Sequence, residues 1–489
     1  MTPVAPLDPW MTAWPALPAA ILALIGLWGL RRHVRPGWGE AAVLAVALVV
    51  RVAWLPLELH EFDGHEAEYR DILTGVRPLS QGGTMLYPAM QWLYRGLGVI
   101  WPEPRLLLAF SVVAGLVAIG AVMGVAGRLA DRRAALAAGL ALALWGNHAF
   151  WSVSAYNVIL PHAMSWVALW GLAVLFRGGP PGYAGLLAGG AAALAVATRV
   201  ESALLAPIGL ALLALYRPRG VLRWAPGLAA GAVLGAFAAY YVLYSGPPPG
   251  AEQRALAWSI NQGLVVYFAP FDQPWTWPGL ALGLGLGLWR WPKLVAPMLA
   301  LAVGSHLAFA TFEDYGFRHL LNAEAALAVG LGALTVSRVG WPFLGISLVA
   351  LTLHTADVAD RFYASEERFA EALDPDLPVL SVDAVGDCAL ICEDFRVVPE
   401  DRQRSHFNLL DPAEAERMRA ESGCIRWLVG VQDHRWSSRA VRDRALRLER
   451  LYSVTPRAVV KGGERGYVGL VLDIGARRRI HPLLPTETE

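Results

Sequence analysis

The sequence predicts a mainly α, polytopic membrane protein with about twelve transmembrane helices, followed by a small soluble α/β domain. Three observations carry that prediction. The chain of 489 residues is 56% hydrophobic and 17% charged, against about 45–50% and about 25% for an ordinary soluble domain. Its charge is unevenly placed, because residues 1–355 hold 16 of the 40 Asp and Glu and 21 of the 41 Lys and Arg. The apolar part breaks into runs of about the length that crosses a bilayer, whereas the last 134 residues alternate strand and helix patterns. The expected domains are therefore 1–355, membrane-embedded, and 356–489, soluble.

The apolar runs fall at 15–30, 38–57, 105–127, 134–150, 158–176, 183–198, 202–216, 225–244, 275–289, 294–311, 319–337 and 341–355. Several have 15–17 residues, at or below the usual lower limit of about 17 for a span, so 183–216 also reads as a re-entrant pair. No basic segment precedes the first run, which argues against a signal peptide. Alternate connections carry the basic residues Arg31, Arg32 and Arg35; Arg128, Arg132 and Arg133; Arg177; Arg217, Arg219 and Arg223; Arg290 and Lys293; and Arg338. Basic connections mark the cytoplasmic side. The N-terminus, loop 58–104, loop 245–274 and the C-terminal domain are then extracytoplasmic.

Within loop 58–104, Glu66 to Val76 and Met85 to Ile100 read as short amphipathic helices separated by Gly82-Gly83. Tyr87, Trp92 and Tyr94 among aliphatic residues suit a helix lying in the membrane interface. In the soluble tail, strands are expected at 379–382, 389–392, 425–431, 458–460 and 467–474, with helices at 412–422 and 438–451. Lys461-Gly462-Gly463 lies between strands and reads as a hairpin turn rather than a phosphate loop. All three cysteines, Cys388, Cys392 and Cys424, are in this tail. One disulfide with an odd thiol left over is the expectation in an oxidising compartment; a zinc site of these cysteines with His434 fits no common spacing. A net charge of +1 argues against a nucleic-acid partner.

The densest polar feature follows the second run: Glu61-Phe62-Asp63-Gly64-His65-Glu66-Ala67-Glu68-Tyr69-Arg70-Asp71. Six of the sixteen acidic residues before position 356 fall between Glu58 and Asp71. Carboxylates packed so closely raise one another's pKa, which suits proton abstraction or cation binding; a solvated acidic loop capping a helix is the plain alternative. Further ionisable groups interrupt the apolar runs, where they are costly and by default functional. Arg51 lies within the second run, Arg199 and Glu201 at the external end of the sixth, Glu313, Asp314, Arg318 and His319 around the start of the eleventh, and Glu324 inside it. Packing or snorkelling alone is the alternative for Arg51, Arg199 and Glu201, and His306 reads as a core histidine. Asn147, His148, Tyr156 and Asn157 flank the external ends of the fourth and fifth runs, lining a cavity or facing water. Carboxylates at one lip and arginines at another suit a substrate with an anionic phosphate and a proton to lose.

Three segments resemble the GT-C membrane glycosyltransferases, closest to the family 39 and aminoarabinose-transferase-like group that includes the protein O-mannosyltransferases. They are Asp63-Gly-His-Glu66-Ala-Glu-Tyr69 with Tyr87-Pro88 beyond it, the Gly/Ala-rich stretch Leu187 to Glu201, and Tyr315-Gly-Phe-Arg318-His319-Leu-Leu-Asn322. The likeness covers the membrane domain. It departs at one point: the family has adjacent Asp-Glu three residues before the Tyr, and here those positions are His65-Glu66. The resemblance implies inverting transfer of a sugar from a polyprenyl-phosphate donor to a lipid, glycan or protein acceptor on the extracytoplasmic face of the plasma (inner) membrane. It makes Asp63 or Glu66 the general base and Arg199 and Arg318, with His319, the phosphate-binding groups; Glu201, Tyr69 and Tyr87 join them at the substrate. Asp63, His65 and Glu66 are candidate ligands for a divalent cation, which some GT-C enzymes do not need. The competing reading is a polytopic transporter or flippase, which predicts inverted repeats and broken helices near the midplane.

Overall fold

The computed structural model describes residues 15–33, 37–58, 65–76, 88–155, 158–244, 275–310, 320–362, 377–380, 388–391, 409, 412–430, 452–462 and 467–477. By internal contacts the chain parts into two units, Met1–Ala356 and Asp357–Glu489.

In the first unit every one of the twelve apolar runs is helical. The helices are α1 (Ala16–Leu30), α2 (Trp38–Glu58), α3 (His65–Thr74), α4 (Pro88–Ile100), α5 (Arg105–Leu129), α6 (Arg132–Ala143), α7 (Gly146–Trp151), α8 (Ile159–Phe176), α9 (Pro181–Thr198), α10 (Ala206–Tyr216), α11 (Val221–Tyr244), α12 (Thr276–Arg290), α13 (Pro292–Ala310), α14 (Leu321–Gly332) and α15 (Gly340–Phe362). Among the described residues, α5, α8, α9 and Val221–Ala239 of α11 are long and apolar enough to cross a membrane. The region expected as a possible re-entrant pair is α9, a 3₁₀ segment at Val200–Leu205, and α10.

The basic connections share one end of the bundle. Arg132 before α6 forms a two-pronged hydrogen bond with Glu40 in the first turn of α2, at 3.1 Å for each. Arg177 after α8 donates to the Arg128 carbonyl after α5, and Lys293 lies over the ring of Tyr216, 5.8 Å from its centroid. Among the basic connections, three pairs of helix ends are thus tied at one face. Asp131 starts α6 by accepting the Ala134 N–H at 2.9 Å, an N-cap that satisfies one of the free amide groups of the first turn.

Small residues set the closest helix crossing. In α9, Gly185 and Gly189 meet Gly227 and Gly231 of α11 so tightly that a Cβ at any of the four would strike backbone atoms of the other helix. Both pairs have glycine at i and i+4, the spacing that lets two membrane helices approach closely. Gly26 of α1 approaches the Leu187 backbone on another side of α9 in the same way.

The fourth apolar run is broken. α6 ends at Ala143 and α7 resumes at Gly146, freeing carbonyls in a region without water. Backbone groups there must find protein partners. The Ala143 carbonyl accepts from Arg51 Nη1 at 3.3 Å, and the Leu144 carbonyl accepts from Thr355 Oγ1.

The second unit contains a five-stranded sheet, β1 (Val379–Leu380), β2 (Ala389–Ile391), β3 (Ile425–Gly430), β4 (Tyr452–Gly462) and β5 (Tyr467–Arg477), ordered β1-β4-β5-β3-β2. The β4–β5, β5–β3 pairs are antiparallel and the two edges parallel. Among the described residues one helix, α16 (Pro412–Ser422), covers part of it through Ala415 and Met418 against Ile391, Trp427 and Leu472. β4 and β5 are consecutive antiparallel strands, but Lys461 and Gly462, expected in the turn between them, are the last paired residues of β4, opposite Val468 and Tyr467; Gly463 lies outside the described residues. Cys388 and Cys424 form a disulfide, which removes the two of them from any zinc site. The strand expected at 458–460 starts earlier, at Tyr452, because the Tyr452 side chain is buried and donates to the Leu409 carbonyl at 2.7 Å. The helix expected at 438–451 lies outside the described residues.

Candidate functional site

At the end of the bundle opposite the basic connections, Val158, Pro161, His162, Arg199, Glu201, Ser202, Leu204, Leu205, Leu301, Ser305, Leu321 and Asn322 line a partly open cavity with about 450 Å³ of free space, open solvent at its mouth included. Its wall is assembled from the start of α8, the α9–α10 connection, α13 and α14. The α9–α11 glycine crossing fixes where α9 ends. At that end Arg199 leaves helical geometry, with φ −165° and ψ 112°, which turns its side chain out of the helix line. Arg199 Nη2 lies 3.4 Å from Glu201 Oε1, and both side chains are only partly exposed. Thr198 satisfies its hydroxyl on the Leu194 carbonyl at 2.8 Å, so the last turn of α9 is closed before Arg199. On the opposite wall His162 Nδ1 is 2.8 Å from Asn322 Oδ1.

A buried polar chain continues inward from this wall. The rings of His162 and His148 meet edge to face with centroids 5.3 Å apart. Arg51 Nη2 is 2.7 Å from His148 Nδ1, and Arg51 Nη1 donates to the Ala47 carbonyl at 2.9 Å. A guanidinium only donates, so His148 Nδ1 accepts and the imidazole proton sits on Nε2. Beside it, Asn147 Nδ2 donates to Glu324 Oε1 at 2.6 Å and Trp151 Nε1 donates to Asn147 Oδ1 at 2.9 Å. Arg51, His148 and Glu324 are each at most 1% exposed. The short helix α7 thus receives Arg51 from one side and Glu324 from the other. Asn147 and His148, expected either to line a cavity or to face water, do neither: they are buried partners of these two charges.

The acidic stretch enters the structure through α3. Its helix packs on α4 and α5 through Tyr69, Ile72 and Leu73 against Met90, Tyr94, Leu107 and Leu108. Tyr69 is fully buried, with its ring 5.4 Å from that of Tyr94. As an aromatic ring among aliphatic side chains at helical spacing, it packs the α3–α4 pair. Tyr94 donates to the Ala155 carbonyl at 3.3 Å and Arg95 to the Ile72 carbonyl at 3.2 Å. The two short helices therefore press one apolar face onto the bundle end near Ala155 and leave Val76, Val99, Ile100 and Trp101 exposed. Gly75, with φ +86°, ends α3 in a backbone conformation that glycine adopts without a steric cost.

His65 and Glu66 open α3, and their side chains are outside the described residues, as are Asp63, Tyr87, Arg318 and His319. Arg199 and Glu201 are brought together. His162 escaped the sequence reading, although a single imidazole in the apolar run 158–176 is the kind of intramembrane ionisable group that marks a site. Among the described residues no group of three His, Cys, Asp or Glu side chains could hold a metal ion.

No protein-family model and no curated protein matches the sequence. Solved structures do resemble it. ArnT from Cupriavidus metallidurans bound to undecaprenyl phosphate aligns over 88% of this chain and 97% of its own, with 16% identity and a TM-score of 0.50; its apo state gives 16% identity over the same shares and a TM-score of 0.49. The archaeal oligosaccharyltransferase AglB from Archaeoglobus fulgidus, in complex with an inhibitory peptide and a dolichol-phosphate, aligns over 88% of this chain and 74% of its own with 13% identity and a TM-score of 0.47. The chain has the GT-C fold, that of a polytopic membrane protein with a small sheet-containing C-terminal unit.

Proposed function

We propose that the protein is a membrane glycosyltransferase that moves a hexosyl or pentosyl group from a polyprenyl-phosphate donor to a lipid, glycan or protein acceptor in the cell envelope, with inversion. The observation that carries the reading is a GT-C fold whose polar cavity opens at the end of the bundle away from the basic connections. A lipid-linked donor already carries the activated sugar, so no nucleotide-binding motif is needed. The solved ArnT structure that this fold resembles holds undecaprenyl phosphate, which supports a lipid phosphate as the donor's carrier here.

Asp63 is the first choice for general base and Glu66 the second: a carboxylate takes the proton from the acceptor hydroxyl as it attacks the anomeric carbon. Arg199 and Arg318, with His319, balance the charge that develops on the departing lipid phosphate, because a planar guanidinium matches two phosphate oxygens. Glu201 keeps Arg199 aimed at the cavity. Asp63, His65 and Glu66 are the residues that would hold a divalent cation. Orientation follows the basic connections, which face the cytoplasm and leave the cavity, loop 58–104 and residues 356–489 outside. The Cys388–Cys424 disulfide supports that side, since disulfides persist in oxidising compartments.

The broken helix α6/α7, with Arg51 and Glu324 tied to it, is a specific feature that favours the transporter reading. One assay separates the two. Membranes carrying wild type, Asp63→Asn or Glu66→Gln are given radiolabelled polyprenyl-phosphate sugars. The expected outcome is transfer by wild type and its loss, by about 10²-fold or more for removal of a general base, in one amide variant that still inserts. Label that crosses the membrane without changing carrier, with no transfer from any of several donors, would replace this reading with transport.

A further inference from the structure

The cavity wall contains one buried polar atom without a partner. His162 is 3% exposed and lines the cavity. Its Nδ1 faces Asn322 Oδ1 at 2.8 Å, whereas Nε2 has no hydrogen-bond partner. An amide oxygen only accepts, so this contact places the imidazole proton on Nδ1 and leaves a lone pair on Nε2. The ring is held from behind. His148, itself fixed by Arg51 at 2.7 Å, meets it edge to face, and α8 enters its first turn there. His162 is therefore a buried acceptor with a set direction at the cavity wall.

The rest of the wall says what would donate to it. Ser202 and Ser305 bring hydroxyls, Glu201 brings a carboxylate, Arg199 brings donors, and Leu205 and Leu301 are aliphatic. Donors and acceptors set among aliphatic side chains suit a ring bearing hydroxyl groups, each of which both donates and accepts. The donor's phosphodiester is the poorer partner for His162, since an ionised phosphodiester offers no proton to Nε2.

We propose that His162 is a specificity residue for the sugar: its Nε2 accepts a hydrogen bond from one ring hydroxyl of the lipid-linked donor, while the lipid phosphate sits elsewhere on the wall. The proposal rests on the glycosyltransferase reading and deepens it, because it assigns the cavity's His162 side to a neutral polyhydroxyl ring. A donor that lacks the contacted hydroxyl, or carries it as an ether, leaves Nε2 unpartnered and is discriminated against.

The test uses the full chain in nanodiscs and measures binding of decaprenyl phosphate and of decaprenyl-phosphate mannose, glucose, galactose and arabinose. His162→Phe preserves a flat ring without the acceptor, and His162→Gln restores an acceptor oxygen. The expected result is that His162→Phe weakens at least one sugar-bearing lipid that wild type prefers by tenfold or more and leaves decaprenyl phosphate within twofold. His162→Gln recovers most of the loss, and a monodeoxy form of that sugar binds wild type and His162→Phe alike. Unchanged binding of every sugar-bearing lipid, or a parallel loss for bare decaprenyl phosphate, overturns the proposal. So does a wild type that binds no sugar-bearing lipid better than the bare one. If sugar preference depends on His162 but no acceptor receives sugar, the proposal stands and the transfer reading falls.

Discussion

Two guanidinium groups stand inside the helical unit, Arg51 within α2 and Arg199 at the end of α9, and their surroundings differ in kind. Arg51 is fully buried, and its two terminal nitrogens bond within the protein: Nη1 to the carbonyls of Ala47 and Ala143, Nη2 to the ring of His148. Gly115 leaves no room beside it, since a Cβ there would come within 3.4 Å of Arg51 Nε and strike Ser152. Arg199 borders a cavity and faces a carboxylate at 3.4 Å. A charge sealed among backbone carbonyls and a ring holds a broken helix in place; a charge that lines a cavity is placed where a substrate could meet it. Burial alone does not distinguish a functional charge from a structural one. Whether it borders a cavity does.

The comparison breaks most visibly if Arg51 loses its side-chain partner. His148→Leu fills the space but leaves a buried guanidinium under-bonded, and removing one partner of a buried charge costs about 3–5 kcal/mol. The expected outcome is a large drop in thermal unfolding temperature in detergent, with the remaining folded protein still binding decaprenyl phosphate. An unchanged melting temperature would mean that the Arg51 centre is not what secures α6 and α7.

A smaller effect sharpens the other side. Gly189→Ala drives a Cβ into the Gly227 carbonyl, so α9 and α11 must separate, at a cost of about 1–3 kcal/mol for overpacking. Gly235→Ala is the control, because its Cβ meets only Ala193 Cα at an ordinary 3.7 Å. Both variants are compared by melting temperature and by transfer. Gly189→Ala is expected to lose more transfer than its stability accounts for, since the end of α9 carries Arg199; equal behaviour of the two variants would uncouple the crossing from the cavity.

The helices were legible in the sequence because each apolar run is its own signal, and the alternation of basic connections located the two ends. Arg199 and Glu201 were legible too, as paired charges interrupting an apolar run two residues apart. What escaped depends on contacts between distant segments. His162 meets Asn322 across 160 positions and Asn147 meets Glu324 across 177, and no local pattern announces either. The break after Ala143 was read as a continuous run because Leu144 and Trp145 are as apolar as a helix there would be. The packing of Tyr69 was visible only in part. Its position beside the acidic residues suggested the substrate, while its helical spacing with Ile72 and Leu73 put it in the packed face.

The smallest expected change in stability belongs to Arg199 itself. The Arg199–Glu201 pair borders a cavity and is partly exposed, and such pairs contribute about 0–1 kcal/mol. Arg199→Gln and Glu201→Gln should therefore each leave the melting temperature nearly unchanged. Their effects on transfer should differ. On the proposed glycosyltransferase reading, Arg199→Gln removes charge that balances the leaving phosphate, and loss of one such stabilising group costs about 10²–10³ in turnover. Glu201→Gln leaves that charge in place and only relaxes its aim, so about tenfold is expected, at the scale of one hydrogen bond to a charged group. Turnover by detergent-solubilised protein, measured beside melting temperature, reads both. If Arg199→Gln instead unfolds the protein as His148→Leu is expected to, the two arginines belong to one structural class and the contrast between them is lost.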